Sequence, residues 1–235
     1  MTPTGDVERV KAAGKVTVEK QSGNASQQIS GGEVLASFLP DGKINVLEAH
    51  DNGRLVFGSD HVLESNHIFT NAAGSVQTTD RSVLQIGDST IEGRQFNIQQ
   101  GELVSFNTNE RANLRSGDRR TSADRTEARF NSRTNSLVEL VQSGNFQFVE
   151  GQRQVSARNA RFEDEGNVVK LDGAPIVTDS RMRLQASQIE LDQRNSSFVA
   201  VGNVKTVTSN SEEPVLVTAG RAQGKADSLL YTENV

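Results

Sequence analysis

A 29-residue period constrains this chain more than any other feature. Gly144, Gly173 and Gly202 fall on it, Ala128, Ala157 and Ala186 fall on it, and Leu140, Val169 and Phe198 keep it four residues ahead of each glycine. Three marker sets on one interval identify a repeated structural unit. Each unit reads as two strands. "RQVSARNARF" places Val155 and Ala157 on one face, then shifts phase so that Ala160 and Phe162 share a face. After the turn "EDEGN", the run "VVKLDGAPIV" puts Val169 and Leu171 together, and the next unit repeats the plan with "MRLQASQIELD" and "FVAVGNVKTV". Alternation of period two, broken by Gly, Asn, Asp and Ser, is the signature of strands and turns. Without a helical period between them, such strands predict an all-β antiparallel meander. The marker glycines read as bulge or turn residues with positive φ, and the marker alanines as sites of close packing.

Composition narrows the architecture. Of 235 residues only 34% are hydrophobic, with ten Phe, one Tyr and no Trp. The mean hydropathy is −0.52. A thin or open β structure tolerates this better than a thick two-sided core, because each strand buries only alternate residues. The absence of Cys removes disulfides and thiolate metal sites. A net charge of −5, with few aromatics to stack on bases, argues against nucleic acid as a partner. No apolar run reaches the roughly 18 residues of a membrane span. The start "MTPTGDVERV" has no apolar core of a signal peptide. Either the protein is cytosolic or an export or anchor segment has been removed, and the end "SLLYTENV", which stops in a strand and turn, leads to the expectation of a piece of something longer.

The amino-terminal half echoes the repeat. "ASFLPDGKINVLEAHDNGRLVF" aligns with "ARFNSRTNSLVELVQSGNFQF" with one gap, matching Phe38 to Phe130 and Leu47 to Leu140. The stretch from Ala72 to Ser122 is polar and its repeats irregular, although "SVLQIGDSTIEGRQFNI" still alternates. The chain therefore reads as one continuous stack of strands over 1–235, or as two modules, an irregular one over 5–122 and a regular one over 123–235.

The motifs "VELVQSGNFQF", "ARNARFEDEGNVVKLDGAPIV" and "ASQIELDQRNSSFVAVGNVKTV" resemble the OstA-like modules of lipopolysaccharide-transport proteins. That family includes the periplasmic bridge protein LptA, the anchored LptC and the amino-terminal domain of LptD. The resemblance runs from Ala123 to Val235 and from Gly5 to Asn71. It implies an elongated, open, taco-like β-jellyroll whose apolar interior shields lipopolysaccharide acyl chains. It further implies a periplasmic location, no enzymatic activity and no cofactor. The implied partners are lipopolysaccharide and other OstA-like proteins, joined end to end by β-augmentation, with homo-oligomers on the same principle. The chain is longer than a single bridge module and lacks the membrane helix of LptC.

On this reading the lipid-binding interior residues are Val155, Phe162, Leu171, Ile176, Leu184, Ile189, Leu191 and Phe198. Seven arginines lie between Arg111 and Arg133, and Arg115, Arg119 and Arg120 are the candidates for lipid phosphates, since the guanidinium forks onto phosphate. The histidines, His50, His61 and His67, show no ligand spacing and read as loop or strand-surface residues, so no metal site is expected. Glu163, Asp164 and Glu165 read as a solvated turn. No phosphate loop, nucleophile elbow or zincin motif is present. Two rival readings remain: a structural surface or fibre protein with a self-filled core, and a carbohydrate-binding β-solenoid. The latter requires exposed aromatics or clustered carboxylates, and Tyr231 is the single tyrosine.

Overall fold

Each marker glycine is a corner at which a strand bends. The computed structural model describes residues 7–22, 25–58, 61–100, 103–108, 110–208, 213–225, 228–233 and 235. Gly5 and the first residues read for a leader lie outside the described residues. Gly144, Gly173 and Gly202 have φ of 78°, 76° and 79°, and Asn145, Ala174 and Asn203 after them have φ of 50°, 62° and 50°. Two successive left-handed residues turn the strand, and only glycine adopts the first without strain. Glycine is needed for space as well. A Cβ at Gly173 would lie 2.3 Å from the Arg158 Cβ, and one at Gly202 would lie 2.9 Å from the Ser187 Cβ.

The described chain is all-β apart from one 3-10 turn at Asp164–Gly166. It divides into two compact units, Met1–Ala112 with Phe130–Ser136, and Asn113–Arg129 with Leu137–Val235. The strands up to residue 108 are β1 (Arg9–Ser22), β2 (Ala25–Phe38), β3 (Ile44–Phe57), β4 (His61–Asn71), β5 (Ser75–Thr78), β6 (Arg81–Ile86), β7 (Ser89–Arg94), β8 (Asn97–Gln99) and β9 (Leu103–Thr108). The strands from residue 112 to 163 are β10 (Ala112–Ser116), β11 (Arg119–Ala123), β12 (Arg125–Asn131), β13 (Leu137–Glu150) and β14 (Arg153–Glu163). The remainder are β15 (Val168–Asp172), β16 (Ile176–Thr178), β17 (Met182–Gln185), β18 (Gln188–Asp192), β19 (Ser197–Thr208), β20 (Val215–Lys225) and β21 (Ser228–Thr232).

Both units use one device. In the first, the long strands β1 to β4 pair in order, antiparallel. Then β4 divides its partners, with Ile68–Thr70 on β5 and Val62–Ser65 on β6. In the second, β13 pairs with β14, which divides between β16 at Gln154–Ser156 and β15 at Asn159–Glu163. Short β17 and β18 rejoin on long β19, which pairs with β20, and β20 pairs with β21. A bulged long strand thus contributes to two half-sheets, while its neighbour is cut in two at the bend.

The stretch from Ala72 to Ser122, irregular in sequence, is mostly ordinary strand. Its interior holds Leu84, Ile91, Phe96 and Ile98, all buried. Some interior positions there are polar because hydroxyls satisfy one another: buried Ser82 bonds to Ser65 at 2.9 Å and to Thr78 at 2.8 Å. Such pairing removes the desolvation cost of an orphan hydroxyl. The outer face of the second unit carries charge instead. Glu139 pairs with Arg129 and, at 2.5 Å, with Arg161, which pairs with Glu163 at 2.8 Å; Glu163 meets Lys170 at 2.7 Å. The Lys170 hydrogen bond holds the half-buried Glu163 carboxyl below its usual range.

Gly151, at φ 56°, has the left-handed conformation without a close neighbour, so it isolates the two demands on glycine. Gly151→Ala is expected to cost about 1 kcal/mol from backbone strain alone. Gly173→Ala should cost about 1–3 kcal/mol more, from the collision with Arg158. Urea denaturation of the two variants measures the difference.

Candidate functional site

Directly opposed residues of antiparallel strands share a face, so the registers trace the interior of the second unit row by row. One row runs Leu140, Phe162, Val169, Leu191, Phe198, Gly224 and Leu229 across seven strands. A second runs Ala160, Leu171, Ile189 and Ala200. On the other side of the corner a third runs Phe148, Val155, Val177, Leu184 and Thr206. Seven of the eight residues expected inside lie on these rows: Val155, Phe162, Leu171, Leu184, Ile189, Leu191 and Phe198. Ile176 does not. It is half-buried, and its neighbour Val177 takes the buried place opposite both Val155 and Leu184. The two residues at the corner, Gly173 and Ala174, leave the parity intact: Val177 lies six residues after Leu171 and keeps its face, whereas Ile176, five after it, falls on the other.

The interior changes along these rows. Around Phe146, Phe148, Val155, Phe162, Val169 and Leu171 it is closed to a void of about 10 Å³. Phe146 and Phe162 meet edge to face at 5.9 Å. Further along, Leu191 and Phe198 are only half-buried and Leu229 is exposed. There the unit opens into a cavity of about 1050 Å³. Val177, Met182, Leu184, Leu191, Phe198, Val215 and Leu229 supply its apolar lining. Gly224 permits this shape. A Cβ there would lie 2.1 Å from the Phe198 ring, so the phenyl lies against bare backbone instead of standing into the space.

The lip is charged. Arg119, Arg153, Arg181 and Lys225 stand with Glu150, Asp179 and Asp192. Arg119 pairs with Glu150 at 2.7 Å, and Arg153 reaches the same carboxylate at 3.7 Å. Hydrogen bonds from the Asn195 side chain and backbone hold half-buried Asp192 below the usual carboxylate range. Of the arginines expected to meet phosphate, Arg119 alone is at this lip. Arg120, its neighbour in β11, falls on the opposite face of the strand, and exposed Arg115 is not part of the lining. Arg153, Arg181 and Lys225 were not foreseen. They sit at strand ends and turns, and their meeting depends on registers that spacing does not reveal.

Of the three carboxylates read as a solvated turn, Asp164 and Glu165 lie exposed in the 3-10 turn, whereas Glu163 ends β14, half-buried and paired with Arg161 and Lys170. The histidines do not all lie on surfaces. His61 is fully buried, its Nε2 2.6 Å from Asn135 Oδ1 and its ring edge-on to Phe57. His50 and His67 are directly opposed on the outer face of β3 and β4, stacked at 4.3 Å, and Glu48 stands beside both.

Residues 83–197 match the model of a family described as LptA/(LptD N-terminal domain) LPS transport protein. The stretch is thus similar to the OstA-like lipopolysaccharide-transport family that the repeat motifs resemble. The match takes in residues 83–122, which the motifs did not cover, and includes Leu184 and Leu191 of the cavity. The family is a periplasmic, non-enzymatic transport module. Neither a search of curated proteins nor one of solved structures returns a match. Among the described residues no helix is long and apolar enough to cross a membrane.

Closed and open parts of one interior should respond differently to a carboxylate. Phe162→Asp is expected to cost at least about 4 kcal/mol, from lost packing and an unsolvated charge. Phe198→Asp, whose carboxylate can hydrate in the cavity, should cost under about half of that and keep the β signal in circular dichroism. Chemical denaturation of both variants checks it.

Proposed function

We propose that the chain carries lipopolysaccharide by holding its acyl chains in the cavity of the second unit, as one module of a periplasmic bridge. The observation that carries this reading is a single apolar row that is packed shut at Phe162 and open at Phe198, in a domain with the transport-family match. A cavity of about 1050 Å³ lies at the top of the roughly 300–1,000 Å³ range of ligand pockets. The apolar part of its lining, aliphatic side chains with Met182 and one phenyl, suits flexible chains. Each methylene taken from water contributes about 0.8 kcal/mol, so a few chains suffice to hold the lipid. The lip supplies what the headgroup needs: Arg119, Arg153, Arg181 and Lys225 fit phosphates, while Glu150 and the two aspartates keep the site from binding anions indiscriminately.

The closed stretch around Phe146 and Phe162 shapes the mechanism. With a void of about 10 Å³, it admits no chain unless the half-sheets part. The cavity then acts as a holding place at one end of a packed core, with passage continued by a neighbouring module. The same stretch favours the structural-protein reading for that part of the chain, and site-specific photo-crosslinking separates the two. A photoreactive residue at Phe198 or Leu191 should crosslink to lipopolysaccharide, whereas one at outer-face Lys170 should not. Replacing Arg119 and Arg153 with Ser should weaken capture of phosphorylated lipid A more than of the dephosphorylated form, and less so as salt is raised. Equal labelling at Phe198 and Lys170 would discard the carrier reading.

Assembly follows from the edges. Among the described residues β21 is paired on one side only, with β20, and β1 is paired with β2. An unpaired edge offers its N–H and C=O groups to another strand, and end-to-end addition gives a heterologous interface that need not close into a ring. Val16→Pro in β1 or Leu230→Pro in β21 removes one donor and disturbs pairing. Each should lower the sedimentation coefficient reached at high concentration, leaving the circular dichroism of the repeats unchanged. A parent protein that stays monomeric throughout the series would exclude this mode of association.

A further inference from the structure

We infer that Glu48, His50 and His67 form a binding site for a divalent transition-metal ion, with Zn²⁺ the best match, on the outer face of the first unit. Glu48 and His50 are two apart in β3 and share a face, and His67 of β4 is the direct cross-strand partner of His50. Their ligand atoms all lie within 4.8 Å of one another, and this is the one such group of three among the described residues. Glu48 Oε2 is 3.4 Å from His50 Nε2 and 3.6 Å from His67 Nε2. Bonds of the usual zinc length give tetrahedral edges of about 3.3–3.4 Å, so two of the three edges are nearly formed before any ion binds.

The nitrogens are also unspent. Nε2 of His50 and of His67 are both shielded from solvent, and neither has a hydrogen-bond partner. Burying two such atoms unsatisfied is costly, and a cation bonded to both removes the cost. Other groups nearby are accounted for. Glu33, opposite His50 on β2, is tied to Lys11 at 2.7 Å. Leu35 and Phe69, opposite Glu48 on either side, are half-buried and lower the local polarity. The three side chains are each about one-third exposed, which leaves a route for the ion and a fourth position for water. Two imidazoles and a carboxylate select zinc and its late first-row neighbours over magnesium or calcium, which take oxygen ligands. The rings are stacked within 13° of parallel, so their lone pairs point side by side. Ligation requires the rings to splay about χ2, a motion their partial exposure permits.

The test is titration of the tag-free protein with Zn²⁺ against a chromophoric chelator, together with long-range proton–nitrogen spectra of the histidines. The expected result is one saturable equivalent of zinc, with the His50 and His67 Nε2 resonances shifting. His61, engaged with Asn135, stays in place as an internal control. His67→Ala and Glu48→Gln should each weaken binding by at least about tenfold, since losing a ligand costs no less than losing its outer-shell partner. The spectra of the parent protein do not depend on how the variants fold. Absence of saturable binding, saturation without movement of the His50 and His67 signals, or unchanged affinity in a folded double variant lacking both histidines would overturn the site.

Discussion

The structure depends on one requirement: a strand with an apolar face must bury it, and here the chain does so by bending back over itself. A flat meander of these strands would leave its apolar rows wet. The pair of left-handed residues at Gly144, Gly173 and Gly202 turns one strand into two arms that face each other, so the chain covers its own rows. That the same residue supplies both the conformation and the room for Arg158 or Ser187 explains why the repeat is marked by glycine. Asparagine can replace glycine only at the second residue, as at Asn145 and Asn203, where no such approach is needed. At the first of these corners Asn145 also donates to Asp124 at 2.6 Å, binding the bend to the gap in the neighbouring strands.

Where the rows run out, the same arrangement produces a cavity. Phe146, Phe148 and Phe162 fill the space between the arms. Beyond them the residues are smaller, and Gly224 lets Phe198 lie flat. The polar ends of β11, β13, β14, β16 and β17 meet at the lip because every strand must turn there, and turns are built from charged and polar residues. An apolar floor below a charged rim therefore follows from the architecture. It is the distribution of polarity an amphiphile presents, which is what the proposed carrier role calls for.

Much of this was legible in the sequence. The rows were visible because strand alternation and a constant interval leave Leu140, Val169 and Phe198 on one line, two strands apart each time. What failed did so for identifiable reasons. Ile176 was placed inside although it lies an odd five residues after Leu171; strict alternation selects Val177, whose chemistry is the same. The polar look of residues 72–122 concealed a core in which Ser65, Thr78 and Ser82 satisfy one another. His50 and His67 are far enough apart in sequence that their spacing is uninformative; only the cross-strand register brings them together. The arginines were read as a cluster along the chain, whereas the lip draws Arg119, Arg153, Arg181 and Lys225 from separate turns.

The interval between marker glycines is also a unit of length. Leu140, Val169 and Phe198 stand on every second strand of one row, so each 29 residues advance that row by two strand spacings, about 10 Å. Because a corner touches only the strands beside it, a duplicated unit inserted at a turn would extend the interior by that increment and leave the corners and the cavity as they were. Reach and capacity are thereby separable. The number of repeats sets how far the row extends, while the few residues at its open end set the size of the cavity.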